Sequence, residues 1–160
     1  MAHNVHHYAS TITWTGNTGT GTSAYKAYER SHTAAVPGKA EIACSSDPNF
    51  RGDKQKHNPE ELFVSSISSC HMLWYLHLCS AHGVVVTAYV DQAAGIMEEN
   101  ADGSGQFVEV TLNPRVSVKE ESMIAKALEL HEEANKMCFI ARSVKFPVRH
   151  KPMAVVENGK

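Results

Sequence analysis

The hydrophobic pattern changes period several times along the chain, and each change marks an element. Residues 8–14 (YASTITW) alternate and are β-branched, the pattern of a strand, and the glycine-rich GNTGTG at 16–21 ends it in a turn or loop. Residues 25–29 read as a second strand and 41–44, more weakly, as a third. Residues 45–58 carry Asp-Pro, Arg-Gly-Asp and His-Asn-Pro, the chemistry of a long irregular loop. Asn58 then has the character of a helix N-cap, with Pro59 at the first helical position and Glu60 and Glu61 in the first turn. The helix so opened is expected to run to about His82, where Gly83 supplies a stop. Its apolar residues, among them Leu62, Phe63, Ile67, Met72, Trp74 and Leu78, cannot share one stripe, so it belongs in the middle of the fold.

Beyond the helix, residues 84–97 read as one long strand or two joined ones. Residues 107–118 follow after the turn Asp102-Gly103-Ser104-Gly105 as the other arm of a hairpin, with Pro114 hinting at an edge or bulge. Residues 120–136 predict a second helix with Ile124, Leu128 and Ala134 near one face. Residues 135–144 read as its end or a short third helix, and 148–155 as a closing strand. Strands, a helix, strands, then helices argue for an α+β fold, with curved antiparallel sheet packed on a long buried central helix. No repeat or low-complexity linker divides the sequence. A single domain over residues 1–160 is expected: N-terminal strands and loop (1–57), central helix (58–82), then strands, second helix and closing strand (84–160).

Composition narrows the function. The 160 residues include 15 Lys+Arg against 17 Asp+Glu, a formal charge of −2, so there is no basic field to attract nucleic acid. The longest apolar stretch, 62–78, is interrupted by four serines and two histidines and reads as too polar for a lipid span. No charged-then-apolar leader opens the sequence, and four cysteines are a thin disulfide framework for a chain this long. A reducing cytoplasm is the expected setting, where a cysteine is free to do chemistry.

Of those cysteines, Cys70 sits inside the central helix between Ser69 and His71, and Cys138 just after the second helix. Each reads either as a small packed hydrophobe or as half of a redox pair. Cys79 lies half a turn around the helix from Cys70 and roughly 13 Å along it, too far for a disulfide, and is expected to fill core. Cys44, in or near a loop, is expected to be open to oxidation. Cys70, His71, His77, Cys79 and His82 crowd one helix without any C-x-x-C, H-x-x-x-H or H-E-x-x-H spacing, so no metal is expected. His71 and His77 are expected to find local polar partners beside the core.

The segment Asn58-Pro59-Glu60-Glu61-Leu62-Phe63-Val64-Ser65-Ser66-Ile67-Ser68-Ser69-Cys70-His71 resembles the signature helix of the OsmC/Ohr family, the osmotically inducible and organic hydroperoxide resistance proteins. That family has N-P-E-x-L, then small residues ending in Ala/Ser-Cys, with ten positions from acid to cysteine, as from Glu60 to Cys70. Ala134-Asn135-Lys136-Met137-Cys138 is similar to its second cysteine segment. The resemblance implies a thiol peroxidase in an intertwined homodimer. Cys70 would be the peroxidatic cysteine, Cys138 the resolving one, and Glu60 the partner of an N-terminal arginine. Arg30 lies about where the family's loop arginine falls, and Arg51 is its rival. Organic hydroperoxides would be the substrates and an external dithiol, with a lipoylated carrier protein as one candidate, the reductant. No cofactor is implied.

The chemistry asks for these groups. A cysteine attacks peroxide as thiolate, and an unperturbed one, with pKa about 8.5, is mostly protonated at neutral pH. A position three turns into a helix is beyond the terminal dipole, so an external cation is needed, and arginine stays charged where lysine does not. Ten residues of helix is about 15 Å, so Glu60 and Cys70 of one chain cannot touch one small substrate. Glu60 must act through the long guanidinium or come from a second copy. The all-round apolar helix with its serine run favours the second copy, giving sites built from Cys70 of one chain and Glu60 with Arg30 of the other. Trp74, Met137, Phe139 and Ile140 could line a pocket for an alkyl tail, or be plain core. The competing reading is a non-catalytic small-ligand-binding or stress-associated homodimer on the same scaffold.

Overall fold

The computed structural model describes residues 4–156 and divides into two compact units, Met1–Leu62 and Phe63–Lys160. The first contains a three-stranded antiparallel sheet, β1 (Thr11–Trp14), β2 (His32–Ala35) and β3 (Ile42–Cys44), in that order. The register aligns Ile12, Ala34 and Ile42 in one row and Trp14, His32 and Cys44 in another. With alternation of period two these rows share one face, and it is largely apolar. It is nevertheless open: Ile12 is 64% exposed, Trp14 44% and Ile42 41%. Among the described residues of this unit, Cys44 is the only buried apolar side chain. Its thiol faces the Ile42 carbonyl at 3.5 Å, so the expected oxidisable loop cysteine is in fact enclosed.

The segment 25–29, expected as a strand, is a turn followed by an isolated bridge between Tyr28 and Asn17. Trp14 Nε1 donates to the Glu29 carbonyl, and Gly16 accepts the Glu29 N–H, which folds this loop back on the end of β1.

Helix α1 (Pro59–Ala81) opens as the sequence predicted. Asn58 Oδ1 accepts from Glu61 N–H at 2.8 Å, and Asn58 N–H donates to Glu61 Oε2 at 3.3 Å, a reciprocal capping box. The helix ends where Gly83 takes φ +72°, the left-handed conformation glycine adopts without penalty. By length and composition α1 could span a bilayer. Its Ile67, His71, Tyr75, Leu78 and Cys79, however, are buried among strands and a second helix, as in a core helix.

The second unit carries two three-stranded sheets, ordered β4 (Val86–Asp91), β7 (Pro114–Val118), β9 (Met153–Val156), and β5 (Ala94–Glu99), β6 (Gly105–Leu112), β8 (Val148–His150). Of the two alternatives for residues 84–97, two strands form, and the single arm expected over 107–118 is also divided in two. Both break near one point, where Asp91 Oδ1 accepts the Asn113 N–H and Pro114 brings no donor. The predicted hairpin is β5–β6. The closing segment also splits, and β8 and β9 pair parallel to β6 and β7, so these sheets are mixed rather than purely antiparallel. Helix α2 (Ile124–Met137) buries Ala127, Leu130, His131 and Ala134. Leu128, expected on that face, is 36% exposed, because the small Ala127 and Ala134 are what let Tyr75 and Leu78 of α1 pack closely.

Candidate active site

Cys70 and Cys138 are 68 positions apart in sequence and adjacent in space, their side chains within hydrogen-bonding reach of each other. Cys70 is half-buried on α1; Cys138 is fully buried at the C-cap of α2, its N–H still bonded to the Ala134 carbonyl at 2.9 Å. Both thiols are free. Burial first, and the hydrogen bond to Cys70 next, hold Cys138 well above the ordinary thiol pKa; the Ala141 N–H, 3.4 Å from its sulfur, works weakly against them.

An open, largely apolar cleft lies about one turn along α1 from Cys70. One turn beyond Cys70, Trp74 meets Phe139 edge to face at 5.6 Å, and Phe139 directly follows Cys138. A cavity of about 290 Å³ is lined by Leu73, Trp74 and His77, with Leu73 63% and Phe139 66% exposed. Of the four residues considered for a pocket, Ile140 packs instead against the Ile67–Val110–Leu112 core.

The remaining predicted groups belong to the first unit. Arg30 is held by the loop that replaces the expected strand. The turn and bridge bring two carbonyls to one guanidinium: Nη1 donates to Tyr28 O at 2.6 Å and Nη2 to Tyr25 O at 2.9 Å. The rings of the same residues flank it, with Cζ 4.1 Å from the Tyr28 centroid and 4.4 Å from that of Tyr25. Among the described residues Arg30 and Arg51 form no ion pair, and both line a cavity of about 280 Å³ with Ser31 and Ser45. The capping box uses Glu61, which leaves Glu60 free, and Glu60 Oε2 is buried with no hydrogen-bond donor.

One group escaped the sequence reading. His71 Nε2 and His131 Nδ1 are hydrogen-bonded at 3.0 Å, with parallel rings, and Tyr75 stacks on His131 at 3.9 Å. His150 flanks both imidazoles. Burial, with the neighbouring histidines adding to it, depresses the pKa of His71 to about 4 and of His131 to about 3. Both are neutral at physiological pH. His71 thus has the polar partner expected of it, whereas His77 is exposed against Trp74. A histidine at the helical spacing of Ala127, Leu130 and Ala134 was the legible signal for His131. Among the described residues no three His, Cys, Asp or Glu side chains are grouped to hold a metal.

The sequence model of the OsmC-like protein family matches residues 52–152. No curated protein matches. Among solved structures, an OsmC-like protein of unknown function from Vibrio cholerae superposes with a TM-score of 0.84 at 28% identity, over 93% of this chain and 100% of its own. An organic hydroperoxide resistance protein from Elizabethkingia anophelis gives 0.68 at 17% identity, over 98% and 99%. One from Legionella pneumophila gives 0.65 at 14%, over 92% and 96%.

Proposed function

The chain belongs to the OsmC-like protein family, and from that premise we propose that it is a cysteine-dependent peroxidase reducing organic hydroperoxides to alcohols in the cytoplasm. The observation that carries this reading is the meeting of Cys70 and Cys138, two free thiols from distant segments, about one helical turn from an apolar cleft.

In the proposed cycle the Cys70 thiolate attacks the terminal peroxide oxygen. The O–O bond breaks, an S–OH forms, and the departing alkoxide takes a proton to become the alcohol. The Cys138 sulfur then displaces hydroxide from the sulfenic acid; the S–S bond forms, the S–O bond breaks, and water leaves with the Cys138 proton. An external dithiol, a lipoyl group among the candidates, is oxidised to its own disulfide as it returns both cysteines to thiols. The alkyl tail of the substrate occupies the cleft of Leu73, Trp74 and Phe139.

Arg30 supplies the cation for thiolate and alkoxide, and Glu60 holds the guanidinium in place. One observation favours Arg30 over Arg51: its guanidinium is anchored by two carbonyls and two rings. Because Glu60 precedes Cys70 by about 15 Å of helix, the composite site takes Arg30 and Glu60 from a second copy. The open face of Ile12, Trp14 and Ile42 supports an intertwined homodimer of single OsmC-like domains, since that much apolar surface calls for a cover. Sedimentation equilibrium returning a monomer at micromolar concentration would remove that part of the proposal.

Stopped-flow consumption of cumene hydroperoxide by wild type, Cys70→Ser and Cys138→Ser tests the chemistry. Wild type should turn over with a dithiol. Cys138→Ser should complete one turnover and stall as a trappable sulfenic acid, and Cys70→Ser should be inert. Peroxide consumption by Cys70→Ser at the wild-type rate overturns the mechanism. No consumption by any of the three leaves the small-ligand-binding reading in its place.

A further inference from the structure

We propose that the His71–His131 hydrogen bond is a positioning contact that sets helix α2 on α1 at the register bringing the Cys138 sulfur to Cys70, and so governs how readily the pair closes into a disulfide. This rests on the pairing of Cys70 with Cys138 in the function above, but not on peroxide being the oxidant.

The packing between the helices holds without aligning. Tyr75, Leu78 and Cys79 of α1 lie against Ala127, Leu130 and Ala134 of α2, and such apolar contact is non-directional. Alanines in particular offer a smooth surface. Apart from the thiol contact of Cys138 with Cys70 that it would serve, the hydrogen bond between His71 Nε2 and His131 Nδ1 is the one side-chain hydrogen bond joining the two helices among the described residues, and hydrogen bonds demand direction. It stands at the right place to set register. His71 directly follows Cys70, inside a continuous helix. His131 precedes Cys138 by seven residues, close to two full turns, so imidazole and thiol leave α2 on the same face. Cys138 is tied to that helix by its N–H bond to Ala134 O. A rotation of α2, or a slip by one turn of about 5 Å, would carry the sulfur out of reach of Cys70.

The bond also resists replacement. Both imidazoles are fully buried, and their outer nitrogens, His71 Nδ1 and His131 Nε2, have no partners. If the helices slip, the inner nitrogens lose theirs as well, and leaving buried polar groups unpaired is costly. The surrounding rings of Tyr75 and His150 fix the plane in which the two imidazoles meet.

The test is the equilibrium of the full-length protein with glutathione, in which two thiols and one glutathione disulfide exchange for the Cys70–Cys138 disulfide and two glutathione thiols. His131→Phe keeps the ring stack and removes the nitrogen, and should lower the equilibrium constant about tenfold, or about 30 mV. His131→Asn places an amide near the Nδ1 position and should recover most of that loss. Equal constants for wild type and His131→Phe overturn the proposal, and so does an equal loss in both variants, which would mark simple packing. Should His131→Phe not fold, His71→Leu and His71→Gln form the same contrast. Because glutathione needs no peroxide, the result stands even if the cumene hydroperoxide assay fails. Should peroxidase activity be present, single-turnover oxidation of Cys70 should keep its wild-type rate in His131→Phe.

Discussion

Acidifying the protein from about pH 7 to about pH 5 should remove about 4 kcal/mol of stability, well above the loss from any group on its surface over that range. The cause is the buried histidine pair. In the unfolded chain each imidazole takes a proton near its ordinary value of 6.5; in the folded protein His71 does so at about 4 and His131 at about 3. Between those limits the unfolded state binds more protons, so stability is complete above about pH 6.5 and falls as the pH drops toward 4 and then 3. One and a half pH units below 6.5, each histidine accounts for about 2 kcal/mol, since one unit corresponds to about 1.4 kcal/mol. His150, also depressed by burial, acts in the same direction. The carboxylates of Asp53, Asp102 and Glu109, all lowered by hydrogen bonds, enter only at more acid pH. Urea unfolding followed by the fluorescence of Trp14 and Trp74, at fixed protein concentration, measures the difference. A loss under about 1 kcal/mol, or an undiminished pH slope in a His71→Phe/His131→Phe double variant, would refute the assignment of two enclosed neutral imidazoles.

Two further perturbations are informative. Arg30→Lys should slow peroxide attack at Cys70 at least about tenfold, because an ammonium cannot use two carbonyl anchors and still present a flat donor edge; a larger effect from Arg51→Lys in the same stopped-flow assay would reassign the cation. Gly95→Ala should lower stability by about 1–3 kcal/mol, since a Cβ there would lie 2.7 Å from the Phe107 ring and 2.8 Å from Val64, and an unchanged urea midpoint would contradict that crowding.

Local chemistry made α1 readable: an Asn-Pro-Glu-Glu start and a Gly83 stop act within a few residues. The same punctuation placed the β5–β6 turn at residues 102–105. What escaped depended on contacts distant in sequence. Residues 25–29 carry strand-like aromatics, yet their carbonyls serve Arg30 rather than a neighbouring strand. The break at Asn113 follows from Asp91, 22 positions earlier, and the parallel pairing of β8 and β9 has no local signature. Of the candidate site, the Glu60–Cys70 spacing and the Cys138 segment were visible through resemblance. Geometry put the two sulfurs together and left Glu60 Oε2 without a donor. His131 was hidden because it needed the phase of α2, which the face chosen through Leu128 had wrong.

The first sixty-two residues enclose just one apolar side chain, Cys44, among those described. As they leave the ribosome they have nothing to collapse around, and a fragment ending ahead of α1 would be an adhesive ribbon rather than a miniature protein. Trimming this chain to a smaller reagent must therefore spare that stretch, and expression with truncated copies present should favour aggregation over assembly.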